Sequence, residues 1–208
     1  MKKQIAASFA KLVEDRDEST GDHVKRTRCI VRVIADYLKN NSAYSDILTD
    51  SYISMLEDAA PLHDLGKVSI PDSILLKPGK LTCEEFDKMK EHTVIGRDLI
   101  ESTLRGVESD EYVALAECIT LYHHEKWNGK GYPAGLSGND IPLCARIMSI
   151  ADVYDALRSE RCYKHALSHE QACEIIRSES GQLFDPAVVT AFFVNSSKIE
   201  KLIDDAIA

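Results

Sequence analysis

Six side chains suited to binding divalent metal ions recur along the chain: His63-Asp64, His92, His123-His124 and Asp152. Taken singly, each has a commoner role. A histidine closing an apolar stripe is ordinarily a satisfied core residue, and a His-His doublet before a loop is often surface decoration. Asp152 could cap a neighbouring helix or pair with Arg146. Their joint occurrence is what points to metal. Asp152 lies within Ile147–Ala156, an otherwise largely apolar run, where a buried ionised carboxylate needs a cation beside it. Imidazole and carboxylate without thiolate suit iron, manganese or zinc better than magnesium or calcium. Four imidazoles and two carboxylates match the needs of two divalent ions, and Asp64 has two oxygens with which to bridge them. Such a pair serves in-line displacement at phosphorus, which makes hydrolysis of a phosphate ester the natural reaction class.

The elements that must position these groups are helical, because apolar residues recur at helical spacing and alternating patterns are nearly absent. Val24, Ile30, Val31, Ile34 and Leu38 share a stripe of a helix running from about Asp22 to Lys39. Ile53, Leu56, Ala60 and His63 form a second stripe, so the His63 ring should point inward. Thr82 to Glu85 reads as a capping box opening the helix of Phe86 and Met89, and Ser168 to Gln171 offers another. Further helices are expected over Glu111–His123, Ala145–Leu157, Glu170–Ser178 and Ala187–Ile199. Two long irregular stretches interrupt them, Leu65–Leu81 and the Gly-rich Glu125–Pro142; loops of that length in a compact domain are usually functional.

Composition limits the rest. The chain has 208 residues, with 25 Lys and Arg against 34 Asp and Glu, for a net charge of −9. That acidity argues against a nucleic-acid polymer or an anionic membrane as partner. No apolar run reaches the length of a bilayer-spanning helix. Six cysteines occur with no C-x-x-C spacing, and the start reads as no export signal. A cytoplasmic protein with reduced thiols is expected, built as one all-α domain over residues 1–208.

The motifs resemble a known family. LHDLGKVSIPDSILLKPGKLTCEEFDKMKEH, then HHEKWNGKGYPAGLSGNDIPLCARIMSIADVYDAL, then SERCYK, is similar to an HD-GYP domain over about residues 15–193. These domains are HD-superfamily phosphodiesterases that degrade cyclic di-GMP in bacteria. The resemblance implies a helical bundle with a long Gly-rich GYP loop, and hydrolysis of cyclic di-GMP to pGpG, with GMP as a further product left open. It implies His63, Asp64, His92, His123, His124 and Asp152 as ligands of two divalent ions, iron or manganese ahead of zinc, with Asp64 bridging. It implies Lys67 beside the scissile phosphate or attacking water, Gly131-Tyr132-Pro133 on the loop beside substrate, and Arg161 and Lys164 holding guanylate phosphates. Trp127 and Tyr132 offer faces for guanine stacking or, equally, packing for the loop.

Two departures stand out. Where relatives carry RD-x-ETG-x-H, this chain has RDESTGDH. His23 aligns as an outer-ligand candidate, but Ser19 occupies the usual Glu position and Glu18 is shifted by one residue, which argues against a third metal. Cys162 replaces the proline of R-P-Y-K. The alternatives are an HD-superfamily phosphohydrolase acting on another nucleotide, such as hybrid cyclic GMP-AMP, and a non-catalytic module binding cyclic di-GMP or a protein. Most relatives are joined to a receiver or sensor domain, so a sensor, receiver or diguanylate cyclase is a partner to consider.

Overall fold

The computed structural model describes Val13, Arg16 and residues 23–41, 43–160 and 165–207. Ten α-helices occur among them: α1 His23–Asn41, α2 Asp50–Ala59, α3 Asp72–Leu75, α4 Cys83–Lys90, α5 His92–Leu104, α6 Asp110–Tyr122, α7 Leu143–Arg158, α8 His169–Ser178, α9 Pro186–Val194 and α10 Ser196–Ile207. Short 3-10 turns cover Ala60–Leu62, Leu65–Ser69 and Gly138–Asp140. No strand forms among the described residues, so the all-α expectation holds. None of these helices is long and apolar enough to cross a membrane.

Helix α1 is the hub. It packs against α2, α7, α9 and α10, and its Ile30, Ile34 and Leu38 are fully buried. Ile53 and Leu56 of α2, Ile119 of α6, Ile147 and Tyr154 of α7 and Phe192 of α9 complete one contiguous apolar core. Both capping boxes form: Thr82 and Ser168 accept from the backbone of Glu85 and Gln171, whose side chains accept in return from the cap backbone. Each satisfies two N–H groups that would otherwise lack partners.

Three local departures from the periodicity have physical causes. The stripe through His63 is not one α-helix, because Pro61 carries no N–H to continue the ladder. Helix α2 stops at Ala59 and a 3-10 turn carries the chain to His63. Helix α5 went unread, since Glu91 ends α4 and abuts the new helix at His92 with no intervening loop. The run Ala187–Ile199 is two helices. Asn195, at φ −108° and ψ 9°, leaves helical geometry, and its side chain donates to the Ala191 carbonyl.

Candidate metal centre

The HD dyad sits between two 3-10 turns, with His63 closing the first and Asp64 opening the second. What brings it against α5 is a contact between two glycines. A Cβ on Gly66 would lie 1.9 Å from the His92 carbonyl oxygen, and one on Gly96 would meet the Thr120 methyl at 2.5 Å. Hydrogen in place of a side chain lets the dyad turn lie directly on α5, which lies in turn on α6. Thr120 of α6 donates to the Leu62 carbonyl at 3.0 Å, tying the dyad segment from its other side. Arg16 reaches across to donate to the carbonyls of Val68 and Ile70 and to Asp72.

The six expected ligands, with His23, converge in two adjoining groups. Asp64, His92, His123 and His124 present ligand atoms within 4.8 Å of one another, and so do His23, His63 and Asp152. Asp64 lies between the groups. Its Oδ1 is 3.3 Å from His92 Nε2 and 3.7 Å from His123 Nε2, while its Oδ2 is 3.3 Å from His63 Nε2. Asp152 Oδ1 lies 3.8 Å from His63 Nε2 and 3.9 Å from His23 Nε2. Arg146 is committed elsewhere, to a buried 2.6 Å ion pair with Asp185, so the Asp152–Arg146 alternative falls away.

Three of the rings are oriented by backbone carbonyls three residues earlier in the chain. Nδ1 of His63 bonds the Ala60 carbonyl at 2.9 Å, that of His92 the Met89 carbonyl at 2.7 Å, and that of His123 the Thr120 carbonyl at 3.0 Å. A carbonyl only accepts, so Nδ1 carries a proton and Nε2 is the atom turned toward Asp64. Nε2 of all three histidines and Oδ1 of Asp64 are buried without a hydrogen bond. Buried acceptors normally find a donor. At His92 a neutral ring nitrogen faces Asp64 Oδ1 at 3.3 Å, acceptor against acceptor, an arrangement that a cation between them satisfies; the residues fit a divalent ion.

The charges agree. Burial pushes His92 down to about 4 against the pull of Asp64, and it pushes His124 well below the usual histidine range, so both rings stay neutral. Burial would also lower His63, but the Asp64 charge, then that of Asp152, overturns this and raises it to about 9. Burial opposes ionisation of Asp64, yet Lys67, His63 and His123 hold it well below the carboxylate range. Lys67 Nζ stands 2.9 Å from Asp64 Oδ2.

Two neighbours escaped the sequence reading. Asp155, one turn past Asp152 and 1% exposed, accepts at 2.6 Å from His23 Nδ1 and is held in turn by Arg26 and Ser159. It aims the His23 ring toward Asp152, as a second carboxylate commonly does behind a metal-binding histidine. Glu125 is buried, and its Oε1 accepts from the backbone of Ala134 and Gly135 at 2.7 and 3.0 Å, stapling the Gly-rich loop shut. Gly131 touches that staple so closely that a Cβ there would lie 2.5 Å from Glu125 Cα. Tyr132 lies over His124 at 4.8 Å between ring centroids and beside Phe86 at 6.1 Å. Trp127 instead faces the Arg146 guanidinium at 5.8 Å, which makes it loop packing. Arg161, Lys164, Cys162, Glu18 and Ser19 lie outside the described residues.

The profile of the HD domain family matches residues 7–188 of this chain. The chain belongs to the HD domain family. Membership implies divalent metal binding, in keeping with the His/Asp clusters, and the HD-GYP resemblance agrees with the relatives. A cyclic di-GMP phosphodiesterase of Vibrio cholerae serotype O1 is 52% identical over 191 residues, covering 92% of this chain and 39% of that protein. A 3'3'-cGAMP-specific phosphodiesterase 2 of the same organism is 39% identical over 187 residues, 90% of this chain and 33% of that protein. The chain thus spans well under half the length of these curated relatives. Among solved structures, a cyclic GMP-AMP specific phosphodiesterase of V. cholerae shares the HD fold with a TM-score of 0.57 at 20% identity, over 96% of this chain and 48% of that one.

Proposed function

We propose that this chain is one HD-GYP domain that hydrolyses cyclic di-GMP to the linear dinucleotide, using two divalent ions. The observation that carries the reading is the set of buried ring nitrogens of His63, His92 and His123 that converge on Asp64 Oδ1 or Oδ2 with no hydrogen-bond partner of their own. His92, His123 and His124 would hold one ion and His63 and Asp152 the other, with Asp64 available to both and His23 an outer candidate of the second group. Iron, manganese or zinc suits this donor set, and the HD-GYP resemblance favours iron or manganese. The ions, when bound, supply an acidified water and neutralise charge on the phosphate oxygens.

The chain's own side chains do the remainder. Lys67 keeps Asp64 ionised and brings a positive charge to the edge of the site, where a phosphate oxygen would lie. Tyr132 stays protonated, because burial and the charges of Asp64 and Asp152 push its hydroxyl well above its usual value. It therefore acts as a donor and a stacking face, not as a base. Gly131 lets the loop close under Tyr132, and Arg161 and Lys164 bind the guanylate phosphates. The expected location is the cytoplasm, where cyclic dinucleotides are made.

Protein loaded anaerobically with iron or manganese should open cyclic di-GMP to pGpG, and His63→Ala or Asp64→Ala should abolish turnover. Unchanged turnover in both variants would remove the assigned centre. The second reading, hybrid cyclic GMP-AMP as substrate, rests on the similarity to the 3'3'-cGAMP-specific relative. Initial rates on the two dinucleotides, measured side by side, decide between them.

A further inference from the structure

The last turn of α4 stands beside the GYP loop, and three of its side chains gather there. Phe86 leaves 47% of its surface in solvent and takes no part in the apolar core. Its ring meets that of Tyr132 edge-on, at 6.1 Å between centroids and 85° between planes. Tyr132 lies in turn over His124 of the metal centre at 4.8 Å. Phe86 is therefore two ring contacts from the ligand cluster, a separation comparable to that between a nucleotide's phosphate and its base.

Lys90, one turn further along α4, brings its Nζ to 5.4 Å from the centre of the Phe86 ring and 5.9 Å from that of Tyr132. The same Nζ pairs with Asp87 Oδ1 at 2.6 Å. A solvent-facing ion pair and a half-exposed ring add little to stability, so the fold itself does not require this grouping. Side by side, Lys90 and Asp87 present a donor and an acceptor next to an aromatic face. The Watson–Crick edge of guanine is the complement, with O6 accepting beside N1–H donating. Adenine offers the reverse, an amino donor beside an accepting N1.

We propose that Phe86, Asp87 and Lys90 form a guanine-reading site, in which the base stacks on Phe86, Lys90 donates to O6 and Asp87 accepts from N1–H. The inference rests on the cyclic di-GMP reading and deepens it, by naming side chains outside the metal centre that select the base. An aromatic face combined with hydrogen bonds to the Watson–Crick edge is the general means of holding an unpaired base. Lys90 also offsets the Asp87 charge, which alone would repel the dinucleotide phosphates. Adenine in the same place would set donor against donor and acceptor against acceptor, and sites built on hydrogen bonds reject such mismatches sharply.

The test titrates cyclic di-GMP and cyclic di-AMP into the chelator-treated full chain by calorimetry, and measures kcat and KM for both on manganese-loaded protein. Phe86→Ala should weaken cyclic di-GMP binding and raise its KM by about fivefold or more with kcat little changed, and Phe86→Tyr should restore both. Lys90→Met should cut the preference for cyclic di-GMP over cyclic di-AMP in kcat/KM by about tenfold, a change that a merely structural side chain would not cause. Unaltered affinity and KM in Phe86→Ala overturn the proposal while leaving the metal centre standing. So does a guanine preference that is absent from the wild type or undiminished in Lys90→Met. Wild-type protein that neither binds nor opens cyclic di-GMP removes the parent reading, and this proposal with it.

Discussion

At His63 the local field and the proposed metal would compete for the same nitrogen. Its value of about 9 in the metal-free site means that an incoming ion must displace a proton at any lower pH. His92, at about 4, adds a second displaced proton only in strong acid. Apparent metal affinity should therefore fall about tenfold for each pH unit below about 9 and level off above it. Manganese titrations at pH 6, 7 and 8 read this slope directly, and a flat profile would contradict the placement of His63. The stability signs are opposite for the two rings. Raised His63 supports the metal-free fold below its ordinary 6.5, a contribution lost as pH rises through about 9. Depressed His92 costs stability as pH falls from 6.5 toward 4, because the unfolded chain takes up the proton first. All six candidate ligands were legible as residues, since donor chemistry is written in the side chain. Asp155 was not. Its partner His23 lies 132 positions away in the chain, and no local signal announces that contact.

At the scale of elements, the Gly66–Gly96 contact sets how closely the dyad approaches α5. Gly66→Ala must move the dyad turn off the His92 carbonyl, since its Cβ would otherwise lie 1.9 Å from that oxygen. Overpacking of this kind costs about 3 kcal/mol, and it should weaken metal binding together with stability. Urea unfolding and metal titration on the same variant check both; a neutral result would mean the two segments can slide apart freely. Helices with a capping box, α4 and α8, were readable because that signal acts within a few residues. Helix α5 was hidden because it begins where α4 ends, and Thr93, Gly96 and Thr103 dilute its apolar stripe. The division between α9 and α10 turns on Asn195 alone, whose side chain competes with the backbone for the Ala191 carbonyl. Periodicity continues straight across that point, so it could not reveal the break.

For the molecule as a whole, an acidic chain at −9 handles an anionic dinucleotide only if positive charge is concentrated locally. Two divalent ions beside Lys67 would do this, so metal should matter to stability as well as to turnover. Manganese at about a hundred times its dissociation constant should add about 2.7 kcal/mol. For a chain of this size that is a rise of roughly 5–10 °C in the thermal midpoint, reversed by chelator. Calorimetry with and without metal measures it, and an unmoved midpoint would sink the two-ion centre. The backbone carbonyls that hold the Nδ1 atoms of His63, His92 and His123 carry a further meaning for how the holoprotein is made. Because each ring is fixed by its own turn of chain, the ligands are in place once the helices have formed. Folding need not wait for the ion, in contrast to small zinc modules that are unstructured without it. Synthesis and metallation become separable events, and an apoprotein left over from metal starvation is a finished vessel awaiting its cargo.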